Sequence, residues 1–106
     1  MFFELREYRT RPGQRETFVK FMEEVIIPFQ VSKGIVVVGS FVGQEEDDLY
    51  IWVRRFDSEP ERERLYAAVY ESETWVKEID PKVPEMIDRD KSVIRRIEAT
   101  PGSVIR

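Results

Sequence analysis

Glu4, Arg6 and Tyr8 recur at every second position in a run of alternating residues, and Tyr50, Trp52 and Arg54 do the same in a second run. In an extended chain, side chains two apart point the same way, so each trio lies on one strand face. If the two strands pair at matching parity, the result is a polar cluster with aromatic walls. Arg6 or Arg54 could then hold a carboxylate or phenolate through charge-assisted hydrogen bonds. Tyr8 could donate or accept a proton, and Trp52 could stack on a flat ligand. This chemistry suits a small acidic or aromatic metabolite. The same residues also admit a purely structural role. Glu4, Arg6, Arg54 and Arg96 could form a salt-bridge network across an interface between two copies of the chain, since buried charges must be paired.

Composition removes several other chemistries. The chain has no histidine and no cysteine, so it lacks the commonest neutral-pH base, the usual axial haem ligand and any thiolate nucleophile or metal ligand. No Ser-His-Asp arrangement is possible, and neither glycine-rich phosphate-binding pattern occurs. No cofactor and no metal are therefore expected, and no residue is assigned as catalytic. Glu45 to Asp48 lacks the alternating oxygen ligands and the glycine of a calcium loop, and reads as a solvated hairpin tip. The run Glu61-Arg62-Glu63-Arg64 reads as an exposed helical face of mixed charge. Trp75 could line a cleft under the second helix or simply pack in the core.

The elements that must position these residues follow from periodicity. Phe2 to Arg9 alternates, which predicts a strand, and Arg11-Pro12-Gly13 breaks it. Phe18, Phe21, Met22, Val25 and Phe29 then recur every three or four residues, one face of a helix that Pro28 should end or kink. Ile35 to Val42 and Leu49 to Val53 are apolar at both parities, as expected for strands covered on both faces, and Gln44 to Asp48 joins them as a hairpin. Ser58-Glu59-Pro60-Glu61 fits a capping box, with Leu65, Ala68 and Val69 on one face of the helix it opens. Trp75, Val76, Ile79, Val83, Met86 and Ile87 keep helical spacing, but Pro81 and Pro84 divide them into two short helical pieces. Ser92 to Ala99 alternates again as a last strand, and the tail from Pro101 is expected to fray.

The order strand, helix, strand, strand, helix, strand predicts an α+β ferredoxin-like βαββαβ fold, a four-stranded antiparallel sheet with both helices on one face. A length of 106 residues fits one domain spanning 1–106. The two-sided apolar strands leave the second face needing cover, and a second copy of the same chain is the simplest source. A homodimer is therefore the expected partner. The formal charge of −4 is spread along the chain, which argues against nucleic acid. No apolar stretch approaches the ~18 residues of a membrane span, and Met1-Phe2-Phe3 leads directly into charged residues unlike a signal peptide. A cytoplasmic protein is expected.

Glu4-Leu5-Arg6-Glu7-Tyr8, Pro12-Gly13 before an amphipathic helix, Pro28, Gly34, the Gly39-Ser40-Phe41 strand and Trp75 together resemble the NIPSNAP family over nearly the whole chain. The resemblance implies a dimeric α+β barrel, two ferredoxin-like sheets meeting face to face with helices outside. It implies no particular reaction, because that family has no generally established chemistry. The wider barrel superfamily includes cofactor-free monooxygenases, haem-handling enzymes and small-molecule isomerases. Three functional readings stay open: a binder of a small acidic or aromatic metabolite, a cofactor-free monooxygenase or isomerase, and a non-catalytic protein-interaction module. A cavity of roughly 300 Å³ or more reaching the Arg-Tyr-Trp cluster would favour an enzyme over a module.

Overall fold

The alternation at the start of the chain becomes strand β1 (Phe2–Arg9), and the two apolar runs become β2 (Val36–Val42) and β3 (Leu49–Phe56). With β4 (Val93–Ile97) they form one antiparallel sheet in the order β2-β3-β1-β4. The computed structural model describes residues 1–106. The strand order is that of the ferredoxin-like fold expected from the element sequence, and it makes β1 and β3 the central pair.

Between β1 and β2 the chain forms helix α1 (Arg15–Phe21), a π-helical turn (Met22–Ile26) and helix α2 (Ile27–Ser32). Pro28 neither ends nor breaks this run. The Ile27 amide bonds back to the Met22 carbonyl, and Pro28 falls at the start of the next helix. A proline there has no intrahelical donor to lose. The same arrangement recurs after α3 (Glu59–Tyr70), where the π turn Trp75–Ile79 precedes a 3₁₀ turn Asp80–Lys82 containing Pro81. Helix α4 (Val83–Met86) then begins with Pro84 near its start. The two helical pieces expected here are thus three consecutive short turns, and the two that contain a proline carry it near their start, where it costs little.

Ser58 caps α3 as its sequence suggests, with its Oγ accepting from the Glu61 amide at 3.3 Å. Glu61 does not complete the box; its carboxylate pairs with Arg64 at 3.6 Å. Gly34 closes the turn into β2 with φ +106°, and a Cβ there would also meet Leu65 at 3.2 Å. Both conditions favour glycine.

Strand register decides which side chains meet. Glu4 lies opposite Arg54, Arg6 opposite Trp52 and Tyr8 opposite Tyr50, and all six point toward the helices, where four of them are almost wholly buried. Two apolar clusters flank them. One joins Phe18, Met22 and Ile26 to Tyr8, Tyr50, Trp52, Ile79 and Val83, and the other joins Ile35 and Phe56 to Leu65 and Val69.

The opposite sheet face carries no helix. Val36, Val38, Phe41, Val93 and Ile97 are exposed there, and Leu5, Leu49, Ile51 and Val53 are half-buried. The strand pair read as covered on both sides is thus covered on one side within a single chain. Phe3 is an exception, being buried. The tail lies beside it rather than fraying, with Thr100, Ser103 and Ile105 around the same depression and Arg55 Nη1 donating to the Arg106 carbonyl at 2.9 Å.

Candidate functional site

A carboxylate and a guanidinium on adjacent strands, both fully buried, set the electrostatics of the helix-facing side. Glu4 pairs directly with Arg54, and its second oxygen accepts from Arg62 Nε at 3.1 Å. Tyr66 accepts from Arg54 and donates to Glu4 at 2.5 Å. Arg54 Nη1 donates to Gln30 Oε1 and to the Tyr70 hydroxyl, both at 2.8 Å. Around this guanidinium stand the rings of Trp52 and Tyr66, with centroids 4.7 and 5.0 Å away. Such rings stabilise a desolvated cation through their negative faces.

Burial by itself would raise the Glu4 carboxyl above its ordinary value. The Arg54 charge, the Tyr66 and Arg54 hydrogen bonds and the Arg6 charge outweigh it and bring Glu4 down to about 2. Burial likewise opposes the Arg54 cation, but neighbouring tyrosine and Glu4 oxygens hold it charged, its pKa raised. Tyr66 is pushed up to about 12 by burial, against the pull of Arg54 and Arg6. The group is therefore an ion cluster with a neutral Tyr66 at neutral pH. Its charges do not cancel: Arg6, Arg54 and Arg62 all approach the single carboxylate of Glu4.

This geometry corrects the interface reading of the same residues. Glu4, Arg6 and Arg54 do form a network, but between sheet and helices inside one chain, with Arg62 as the fourth member. Arg96 instead pairs with Glu59 on the exposed surface. The physical reason lies in α3, where Arg62, Tyr66 and Tyr70 recur every fourth residue and so present one polar stripe to β1 and β3.

Beside the ion cluster a cavity of about 170 Å³ opens between sheet and helices. Arg6, Tyr8 and Trp52 line it from the sheet, Tyr70 and Trp75 from the helical layer, and Arg89, Ser92 and Ile94 from the β4 edge. It does reach the Arg-Tyr-Trp cluster but is smaller than the roughly 300 Å³ of a drug-sized site. An apolar cavity of ~150 Å³ takes a benzene ring, so this one matches a single substituted ring.

Two tyrosines in the lining share an unusual feature. The Tyr8 oxygen accepts from Arg6 Nη1 at 3.0 Å and from Trp52 Nε1 at 3.1 Å. The Tyr70 oxygen accepts from Arg54 Nη1 and, at 3.2 Å, from Gln30 Nε2. A phenol has two acceptor sites and one donor. Each oxygen is thus saturated as an acceptor, while its own proton finds no acceptor in the chain.

Of the six residues singled out from sequence, Arg6, Tyr8 and Trp52 line the cavity, and Glu4 and Arg54 hold its wall from behind. Tyr50 stands apart from it. Its hydroxyl lies 2.6 Å from Ser40 Oγ, and burial pushes it up to about 12 against that hydrogen bond. Trp75 both lines the cavity and packs edge-on against Tyr70, with centroids 4.8 Å apart. Sequence reasoning missed Gln30, Tyr66, Tyr70, Arg89 and Ser92. The spacing of Arg62, Tyr66 and Tyr70 was an available signal; nothing local marks the other three.

The Glu4 shift has a definite pH signature. Because its folded pKa lies below its ordinary 4.5, the stabilisation is present above pH 4.5 and is lost as pH falls toward about 2, on the order of 3 kcal/mol. Urea titrations of the wild type should show this loss. Glu4→Gln should be less stable at pH 7 by about 3 to 5 kcal/mol, since it strands Arg54, and should show a flatter dependence below pH 4.5. Parallel curves for the two proteins would contradict the assignment.

Comparison with known proteins agrees with the geometry. Residues 3–100 match the NIPSNAP family model. A NIPSNAP family protein of Agrobacterium tumefaciens superposes with TM-score 0.87 at 24% identity, covering 99% of this chain and 98% of that one. A second from that organism, described as of unknown function, gives 0.88 at 23%, covering 100% and 94%. An antibiotic biosynthesis monooxygenase shares the fold more distantly, with TM-score 0.68 at 12% identity over 95% and 100% of the chains. A search of curated proteins returned no match. The match of the family model over residues 3–100 of 106 shows that this chain belongs to the NIPSNAP family.

Proposed function

We infer that this protein binds a small planar acid, an aromatic carboxylate or phenolate, in the cavity between sheet and helices. The observation that carries this reading is the pair of acceptor-saturated tyrosines. Tyr8 and Tyr70 each offer an unused O–H beside a cavity lined by two guanidiniums and no carboxylate. An anion would satisfy both hydroxyls at once, and the excess positive charge around Glu4 favours it over a neutral ring. Trp52 and Trp75 supply faces and edges for a flat group.

Calorimetric titration with benzoate tests this directly. Binding should be measurable and Arg6→Gln should weaken it at least tenfold, the usual worth of a charge-assisted hydrogen bond. The variant's urea stability, measured alongside, separates a lost contact from a lost fold. No binding at millimolar benzoate, or equal affinity in a folded Arg6→Gln protein, would refute the reading.

The same proposal includes a homodimer formed through the helix-free sheet face. Leaving Val36, Val38, Phe41, Val93 and Ile97 in water together is unfavourable at ~25 cal/mol per Å² of apolar area. On that face Glu7 and Arg95 have no ion-pair partner within the chain and would supply complementary charges to a second copy. Light scattering should give a mass twice 12.6 kDa for the wild type. Phe41→Asp should return it to the single-chain mass while keeping the circular dichroism of the fold. A wild-type monomer at micromolar concentration would exclude this interface.

A further inference from the structure

Arg89 and Asp80 form an ion pair at 2.5 Å, with 45% and 42% of their side chains exposed. The pair spans two layers. Asp80 opens the 3₁₀ turn after the buried Ile79, while Arg89 belongs to the 3₁₀ turn Arg89–Lys91 leading into β4. That second turn is fastened to the sheet by the Asp88 amide donating to the Arg9 carbonyl at 2.9 Å, and it is capped by the Asp88 side chain. Its backbone is held while the long Arg89 side chain projects from it. Arg89 lines the same cavity as Arg6, but the Arg6 side chain is only 19% exposed. The two cations therefore mark the inner and outer ends of one site.

We propose that Arg89 is a specificity-determining residue that exchanges Asp80 for a second acidic group on the ligand, so that the cavity selects planar diacids over monoacids. This rests on the reading of the cavity as an anion site. The inner carboxylate of such a ligand meets Arg6, Tyr8 and Tyr70, and the ring lies between Trp52 and Trp75. The outer carboxylate reaches the rim, where Ser92 adds a hydroxyl donor. An exposed ion pair contributes little by itself, so Asp80 yields Arg89 at small cost, while a bidentate guanidinium–carboxylate contact replaces it. A monoacid leaves the Asp80–Arg89 pair intact and gains nothing from it.

The test compares benzoate and terephthalate by calorimetry on the wild type, Arg89→Gln and Asp80→Asn. Both substituted side chains are on the surface, so the variants should keep the fold. Terephthalate should bind the wild type at least fivefold tighter than benzoate. Arg89→Gln should erase that preference by weakening terephthalate more than benzoate, and Asp80→Asn should widen it. Added salt should shrink the preference, because the outer contact is at the solvent-exposed rim. Equal binding of the two acids to the wild type, or a preference that survives Arg89→Gln, overturns the role of Arg89 while leaving the inner site standing. Binding of neither acid overturns the inner site as well, and with it this proposal.

Discussion

The burial of Glu4 against Arg54 is the constraint around which the sheet–helix layer is organised. Neither charge reaches water, and an unpaired ion at this depth would be prohibitively costly. Each therefore draws its partners from within the layer. Glu4 takes Arg54, Arg62 and Tyr66; Arg54 takes Glu4, Gln30, Tyr66 and Tyr70. Those partners come from α2 and α3, on opposite sides of the β2-β3 hairpin in sequence. Hydrophobic burial brings the helices to the sheet without fixing their rotation or slide. The directed bonds of this cluster supply that registration.

The cluster also divides the interior. The larger apolar group lies on one side, built from α1, the π turn after it and the turns around Ile79 to Met86, and the smaller group lies on the other. A ring or aliphatic chain can slide to fill space, whereas Arg54 with its bonds made cannot. The cavity lies on the larger side, its walls drawn from both the fixed cluster and the apolar group. Tyr70 belongs to both, since its oxygen accepts from Arg54 and its side chain lines the cavity. Rigid positioning of a donor at the boundary of an ion cluster and a space is the arrangement a selective binding site requires.

Much of this was legible in the residues. The parity of Glu4, Arg6 and Tyr8 against Tyr50, Trp52 and Arg54 is enforced by the strand period of two, and pairing of β1 with β3 then brought the trios together as the pattern required. The direction in which that face looks was not legible. Ile51 and Val53 are as apolar as Tyr50 and Trp52, so hydrophobicity could not choose between the helix side and the open side. Charge suggested an interface between copies. What decides is the stripe of Arg62, Tyr66 and Tyr70, because only the helices carry enough polar partners to satisfy a buried Arg54. Arg89 and Ser92 lay beyond sequence reasoning altogether, since their place in the cavity depends on β4 returning beside β1.

The π turns show how the prolines fit this scheme. An α-helix running without interruption into Pro28 or Pro81 would lose a hydrogen bond and crowd the preceding turn. The wider turns at Met22–Ile26 and Trp75–Ile79 each insert one extra residue before the proline, rotating the downstream residues by about a quarter turn. In the first case this rotation precedes Gln30, which must face Arg54. In the second it lies between Trp75 and Val83, both of which line the cavity. Val76 is exposed although its spacing from Ile79 suggested a shared buried face, as expected where the helical period changes. The prolines therefore coincide with changes of helical phase, and those changes allow residues from one short segment to serve both the ion cluster and the space beside it.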